Sequence, residues 1–208
     1  MNSKIAMSGL SILASLAIMG GATFAFFSDS GTSSGNTFSS GNLDMKLSDG
    51  NQEDQENVTG TWGLNSAPGD TFTGDLRITN TGSVPANHVE LKFTNIVTEA
   101  VSGPGTVSTT PMDRVIEITV FEWDSDGDGV TDVTIPVTDL NSNGITDLDD
   151  LENQVADDFD NLAFTGTQTA DHVLRISGRL SPTLAVDQHQ GDSVSMSLDV
   201  TMNQDASQ

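Results

Sequence analysis

The sequence predicts an all-β chain, a jelly-roll-like antiparallel β-sandwich carrying a short helical, calcium-loop insertion. Three observations predict it. Apolar and polar residues alternate over six separate runs, clusters of Gly, Pro, Asn and Asp punctuate those runs, and a single stretch has helical spacing. A parallel α/β sheet would need a helical crossover after most strands, and the chain does not carry that pattern.

The first element is a leader. Lys4 is the only charged residue before Asp29, and Ile5 to Met19 form an apolar run that ends in Gly20-Gly21-Ala22-Thr23-Phe24-Ala25. A basic start, an apolar middle and a small-residue exit describe a signal peptide over residues 1–25, with cleavage between Ala25 and Phe26. The uncharged segment from Ile5 to Ser28 is also long enough to serve as an uncleaved membrane anchor. Cleavage leaves a mature chain of 183 residues, the size of one domain.

The strands follow in order. Leu43, Met45 and Leu47 alternate with Asp44, Lys46 and Ser48; Phe72, Leu76 and Ile78 with Asp75 and Arg77; Val89, Leu91 and Phe93 with Glu90 and Lys92. Ile116, Ile118 and Val120 mark a fourth strand. Leu174, Ile176 and Leu180 alternate with Arg175, Ser177 and Arg179, and Val194, Met196, Leu198, Val200 and Met202 make the most regular pattern of all. Each reads as a half-buried strand. Pro68-Gly69-Asp70, Asn80-Thr81-Gly82 and Gly191-Asp192 supply turns between them. The helical stretch is Leu148 to Leu162, where Leu148, Leu151, Val155 and Phe159 would share one face. Ser28 to Ser40 and Asp49 to Thr61 are polar and read as mobile or late-ordering segments, the second holding the glycosylation sequon Asn57-Val58-Thr59.

Thirty acidic residues against seven basic ones give a net charge of −23, which disfavours nucleic acid and anionic membrane surfaces as partners and favours cations. The same acidity fits a salt-adapted surface. With no cysteine, an exported chain must be held by its core, by metal or by neighbouring chains.

The acids are not spread evenly. Between Asp124 and Asp160 lie 12 of the 30, with no Lys or Arg. Within this segment, 124–162, two loops begin 15 residues apart. Calcium takes six to eight oxygen ligands, and a 12-residue loop supplies them from positions 1, 3, 5, 7, 9 and 12 around a Gly at position 6. Asp124, Asp126, Asp128, Gly129, the Val130 carbonyl and Asp132 match positions 1, 3, 5, 6, 7 and 9, but position 12 is Ile135. In the second loop Asp139, Asn141, Asn143, Gly144, Ile145, Asp147 and Asp150 fill all seven places. The loops are similar to those of dockerin and EF-hand-like modules, and the spacing predicts calcium as the cofactor.

No catalytic signature accompanies them. His88, His172 and His189 are far apart in sequence, and no HExxH motif, Gly-x-Ser-x-Gly elbow or phosphate-binding loop is present. The expectation is a protein that is not an enzyme.

Gly20 to Asp29, continuing through Asn36-Thr37-Phe38-Ser39-Ser40-Gly41-Asn42-Leu43-Asp44-Met45, resembles the leader and first strand of the TasA and camelysin family. The resemblance extends to Pro68-Gly69-Asp70, Asn80-Thr81-Gly82-Ser83 and the segments Asp171 to Leu180 and Asp192 to Met202, while the calcium-loop segment departs from it. It implies a leader processed by a SipW-type signal peptidase, contact with the membrane only before cleavage, and secretion as a jelly-roll subunit. It further implies a homopolymer built by donor-strand complementation into extracellular matrix or cell-surface filaments. On that reading residues 26–40 are the N-terminal donor-strand arm, Phe26 and Phe27 are its anchors, and 41–208 is the sandwich. The same resemblance brings a second reading, a cell-surface metallopeptidase. A monomeric calcium-dependent surface adhesin is the third.

Overall fold

A computed structural model describes residues 42–58, 67–100, 108–154 and 159–205. The chain divides into units 1–40 and 41–208. The leader, the arm and the anchors Phe26 and Phe27 therefore lie outside the described residues, as do Thr59 of the sequon and residues 155–158 of the expected helix.

The described residues form a two-sheet antiparallel sandwich, the predicted fold class. Its strands are β1 (Met45–Ser48), β2 (Thr71–Asn80), β3 (His88–Thr98), β4 (Ile116–Trp123), β5 (Val133–Thr134), β6 (Leu162–Ala163), β7 (Asp171–Leu180) and β8 (Ser193–Asn203), with a helix α1 (Leu148–Asn153) between β5 and β6. One sheet runs β1-β2-β7-β4-β5 and the other β6-β3-β8. Non-consecutive neighbours such as β2 with β7 and β3 with β8 make these long pairings non-local, with Phe72 opposite Gly178 and Phe93 opposite Leu198.

The inner faces meet over a core that includes Ile78, Val89, Phe93, Phe121, Leu174 and Ile176. Phe93 of β3, Phe121 of β4 and Phe159 of the insertion pack edge to face around one point, with ring centroids 5.4 to 5.9 Å apart. Each such pair adds about 0.5–1.5 kcal/mol beyond the area it buries. The two sheets and the insertion thus share one aromatic junction.

The alternation in β4 does not run straight through. A register shift between Ile118 and Val120 inserts one extra residue, so the buried phase moves from Ile116 and Ile118 to Phe121 and Trp123, leaving Val120 half-buried. The expected inward position of Val120 is corrected accordingly. Beside the bulge, the Ile118 N–H donates to the Thr146 carbonyl at 2.8 Å and the Thr146 hydroxyl returns a bond to the Ile118 carbonyl at 3.1 Å. The insertion therefore caps the backbone that the bulge exposes.

The expected helix from Leu148 to Leu162 is also corrected. It ends at Asn153, because Gln154 turns to an extended backbone (φ −55°, ψ 145°). Phe159 reaches the core outside any helix, and Leu162 pairs in β6 with Val89. Of the residues at helical spacing, Leu148 and Leu151 are buried from the helix and Phe159 from beyond its end. An Asp147–Asp150 capping box starts the helix.

The insertion covers one flank of the sandwich. Its residues pair with β4 at Glu117–Asp147, give the Phe159 carbonyl to Leu91 N–H at 2.9 Å, and accept the Asn95 side chain at Leu148 O at 2.7 Å. On the other flank β1 is guarded, since Leu47 exchanges two backbone bonds with Gln55. Among the described residues, β8 pairs with β3 alone, and no strand lies along its other edge.

Gly178 in the central strand β7 offers a sharp test of this packing. A Cβ there would overlap the Glu117 carbonyl oxygen and come within 2.6 Å of the Phe72 ring. Gly178→Ala should destabilise the fold by about 1–3 kcal/mol in urea unfolding, with the slope unchanged.

Candidate metal centre

The two acidic loops are built alike, residue by residue. In the first, Asp124 accepts the N–H of Gly129 at 2.9 Å; in the second, Asp139 accepts the N–H of Gly144 at 2.9 Å. Asp126 accepts from Asp128 N–H at 3.2 Å, and Asn141 from Asn143 N–H at 3.1 Å. Asp128 accepts from Val130 N–H at 2.8 Å, and Asn143 from Ile145 N–H at 3.0 Å. Gly129 and Gly144 both sit at positive φ, +85° and +92°, where a side chain would be strained. The 1-to-6, 3-to-5 and 5-to-7 bonds curl each loop so that its odd-numbered side chains turn inward.

The first loop brings Asp124, Asp126 and Asp128 together, one carboxylate oxygen of each lying within 4.8 Å of the others. Asp124 is buried, whereas Asp126 and Asp128 are exposed. Asp132 plays a different part, since its two oxygens accept from the Ser125 backbone N–H and hydroxyl, both at 2.8 Å. These two bonds, the backbone one first, hold the Asp132 carboxyl below its ordinary range. Val130 is exposed, and Ile135, at the twelfth place, is a core residue bonded to Phe121 O.

The second cluster gathers Asp147, Asp149 and Asp150. Asp147 and Asp150 are fully buried and cap each other's backbone N–H at 3.0 Å. Asp150 also accepts from Leu140 N–H at 2.9 Å, which closes the loop. The side-chain amides of Asn141 and Asn143 donate to Asp147 at 3.1 and 2.7 Å. Burial nonetheless pushes the Asp147 carboxyl above its ordinary value. Asp139 is engaged by the Asn143 and Gly144 amides and stands apart from the three grouped acids.

Asp149 was not among the sequence-predicted ligands, because the loop pattern skips its place. It sits in the first turn of α1 and pairs with Arg114 at 3.1 Å. His172 was also missed as a partner of the first loop. Its Nδ1 donates to the Asp124 carbonyl at 2.9 Å, and its ring stacks on Phe164 (centroids 3.6 Å) and Trp123 (5.6 Å). Burial in that stack pushes the imidazole below its ordinary pKa, so it is neutral at neutral pH. The Trp123 indole donates to Ala163 O at 2.8 Å, which ties β6 to the same stack.

The donor chemistry bears on the kind of ion that such groups could hold. Both groups are all-carboxylate, the set that suits hard cations such as calcium. A catalytic zinc site commonly uses His ligands. Here Nδ1 of His88 meets Asp205 O, Nε2 of His189 meets Thr110 O, and His172 Nδ1 meets Asp124 O, so each imidazole is bonded to a different backbone carbonyl, and neither acidic group includes a histidine. The residues present fit a hard cation and do not fit a His-ligated zinc centre.

Asp124 and Asp128 separate structure from binding. Asp124→Ala should cost about 1–3 kcal/mol of stability even in chelator, because it strands the Gly127 and Gly129 amides. Asp128→Ala, at an exposed position, should change chelator-treated stability by no more than about 0.5 kcal/mol. Thermal melts in chelator check both.

No curated protein matches the chain. The family model described as camelysin metallo-endopeptidase matches residues 1–208, the whole sequence, so the chain belongs to the camelysin metallo-endopeptidase family.

Proposed function

We propose that this protein is a secreted structural subunit that polymerises head-to-tail, by donor-strand complementation, into calcium-stabilised extracellular filaments. The observation that carries the reading is the edge of β8. The strand is 11 residues long, its inward row Val194, Met196, Leu198, Val200 and Met202 is only half-buried, and Asp199 is its one charged residue. Long, flat edges are normally blunted by lysine, proline, bulges or a cover, because they template pairing with other chains. β8 carries no lysine, no proline and no register shift. An added strand would supply main-chain bonds along that edge and cover the apolar row.

The arm over residues 26–40 is the proposed donor, with Phe26 and Phe27 as anchors entering the acceptor subunit. Family membership supports a secreted or cell-surface protein, and cleavage between Ala25 and Phe26 by a SipW-type signal peptidase would release the arm. A head-to-tail contact of this kind generates an open filament. Extracellular matrix or the cell surface is its proposed location.

Calcium is the proposed ion of both loops. Asp124, Asp126, Asp128, Asp132 and the Val130 carbonyl are assigned to the first. Asp139, Asn141, Asn143, Asp147, Asp150 and the Ile145 carbonyl belong to the second, joined by Asp149. Support comes from the repeated loop bonding and from three fully buried aspartates, Asp124, Asp147 and Asp150, whose charge a divalent cation would offset.

The family name favours one alternative, a camelysin-like cell-surface metallopeptidase. Purified protein that cleaves a generic protein substrate, and stops when chelator is added, would establish that alternative; the structural reading expects no cleavage in either condition.

Two measurements test the main reading. Calcium at about 100 times its dissociation constant should stabilise by about 2.7 kcal/mol per occupied loop, and Asp128→Ala and Asp139→Ala should each lose a share of that gain. Electron microscopy of the chain beginning at Phe26 should give filaments, and the chain beginning at Gly41 none. A peptide of residues 26–40 added to the Gly41 form should raise its melting temperature by filling the acceptor edge. Monomers from both chains, with no response to the peptide, would sink the filament reading and leave the monomeric calcium-dependent adhesin.

A further inference from the structure

At one end of the open strand, the β3–β8 ladder closes on a pair of facing acids. Its last paired residues are Thr98 and Ser193, and one step further Glu99 stands against Asp192. Two like charges directly opposite each other across strands are destabilising. The local backbone nevertheless holds both in place. Asp192 Oδ1 accepts the Ala100 N–H at 2.6 Å, and the Glu99 carboxylate accepts the Met112 N–H. Gly191, at φ +88°, carries the chain around so closely that a Cβ there would lie 3.2 Å from the Ala100 Cβ.

What remains is one oxygen on each side. Glu99 Oε2 and Asp192 Oδ2 are both buried, and among the described residues neither receives a hydrogen bond from an N–H or O–H donor. The two acids stand at facing positions just past the last ladder pair, and a carboxyl–carboxyl hydrogen bond is among the causes that raise the Glu99 pKa. Two ionised carboxylates have only acceptors to offer, so such a contact is satisfied only when a proton lies between them.

We propose that Glu99 and Asp192 share one proton, forming an acid-sensitive latch that closes the β3–β8 ladder and loosens when the pH rises. The neighbouring charges agree with that arrangement. Burial, followed by the hydrogen bond and the charge of Asp192, raises the Glu99 pKa; the Met112 N–H and then His189 draw it down by less. The His189 ring is engaged elsewhere, its Nδ1 accepting the Val186 N–H at 3.1 Å and its Nε2 lying 3.0 Å from Ser108 Oγ and 2.9 Å from Thr110 O.

The sign of the effect follows from the raised value. The latch contributes its full stability below the ordinary Glu pKa of 4.5, and that contribution is lost as pH rises through the higher folded-state pKa. Because Ser193 begins β8, opening the latch frees the first residues of the strand with the open edge. The latch itself depends on neither calcium nor polymerisation.

Glu99→Gln tests the idea in the full chain, with chelator present to keep the acidic loops out of the result. The glutamine carbonyl still accepts from Met112, while its amide gives Asp192 a permanent donor. The variant should melt about 2–4 °C above the parent at about pH 7.5 and within about 1 °C of it at about pH 4. An offset that is the same at both pH values, of either sign or zero, overturns the proposal. Carbon-13 carboxyl titration of the unaltered protein gives a second reading that does not depend on how the variant folds. One of the two groups should titrate above the ordinary glutamate range, and ordinary titration of both would equally overturn the latch.

Discussion

Asp124 is the joint on which the candidate site depends. It is the first residue after β4, it is fully buried, and each of its polar groups has a fixed partner. Its N–H donates to Val173 O, its carbonyl receives His172 Nδ1, and its two carboxylate oxygens receive the amides of Gly127 and Gly129. A buried charge is costly unless it is compensated. Backbone amides supply part of that compensation, and they can do so only while the loop keeps its curled form. The loop geometry and the end of the strand are therefore enforced by one residue, the first through its side chain and the second through its backbone.

The same economy governs the flanks of the sandwich. The 124–162 segment is an insertion in sequence, but in space it is a cover. Thr146 satisfies the backbone at the β4 bulge, Phe159 and Leu148 meet β3, and Phe159 completes an aromatic junction between the sheets. With that flank closed and β1 bonded to Gln55, β8 is left among the described residues as the long strand with one edge unpaired. Among the described residues, the apolar row of β8 stays half-buried along its whole length.

Charge is partitioned in parallel with these surfaces. Three bases on the sheets are matched locally: Arg175 with Asp75, Arg179 with Glu117, and Lys46 with Asp44 and Glu56. The insertion has no base of its own, and Arg114 reaches Asp149 from just before β4. The remaining acids of the two loops are held by backbone and amide donors. An arrangement that satisfies acceptors without neutralising them is one that a hard cation can complete.

Sequence periodicity by itself determined the sandwich class, the six long or regular strands and the two loop frames, because side-chain alternation and fixed loop spacing are local consequences of backbone geometry. The equivalence of Asp124 with Asp139, and of Gly129 with Gly144, was legible for the same reason. Other features were decided only by contacts between distant residues. The bulge that turns Phe121 and Trp123 inward answers to β7 and to Thr146. Phe159 mimics a helical position while packing against Phe93, and Asp149 joins its cluster through the first turn of α1. His172 meets Asp124 across 48 residues of chain, and Glu99 meets Asp192 across a ladder whose partners lie far apart. Nothing in a linear pattern specifies which strand lies beside which, so burial, bulges and facing charges were fixed by strand order, and the order was chosen by the shared core.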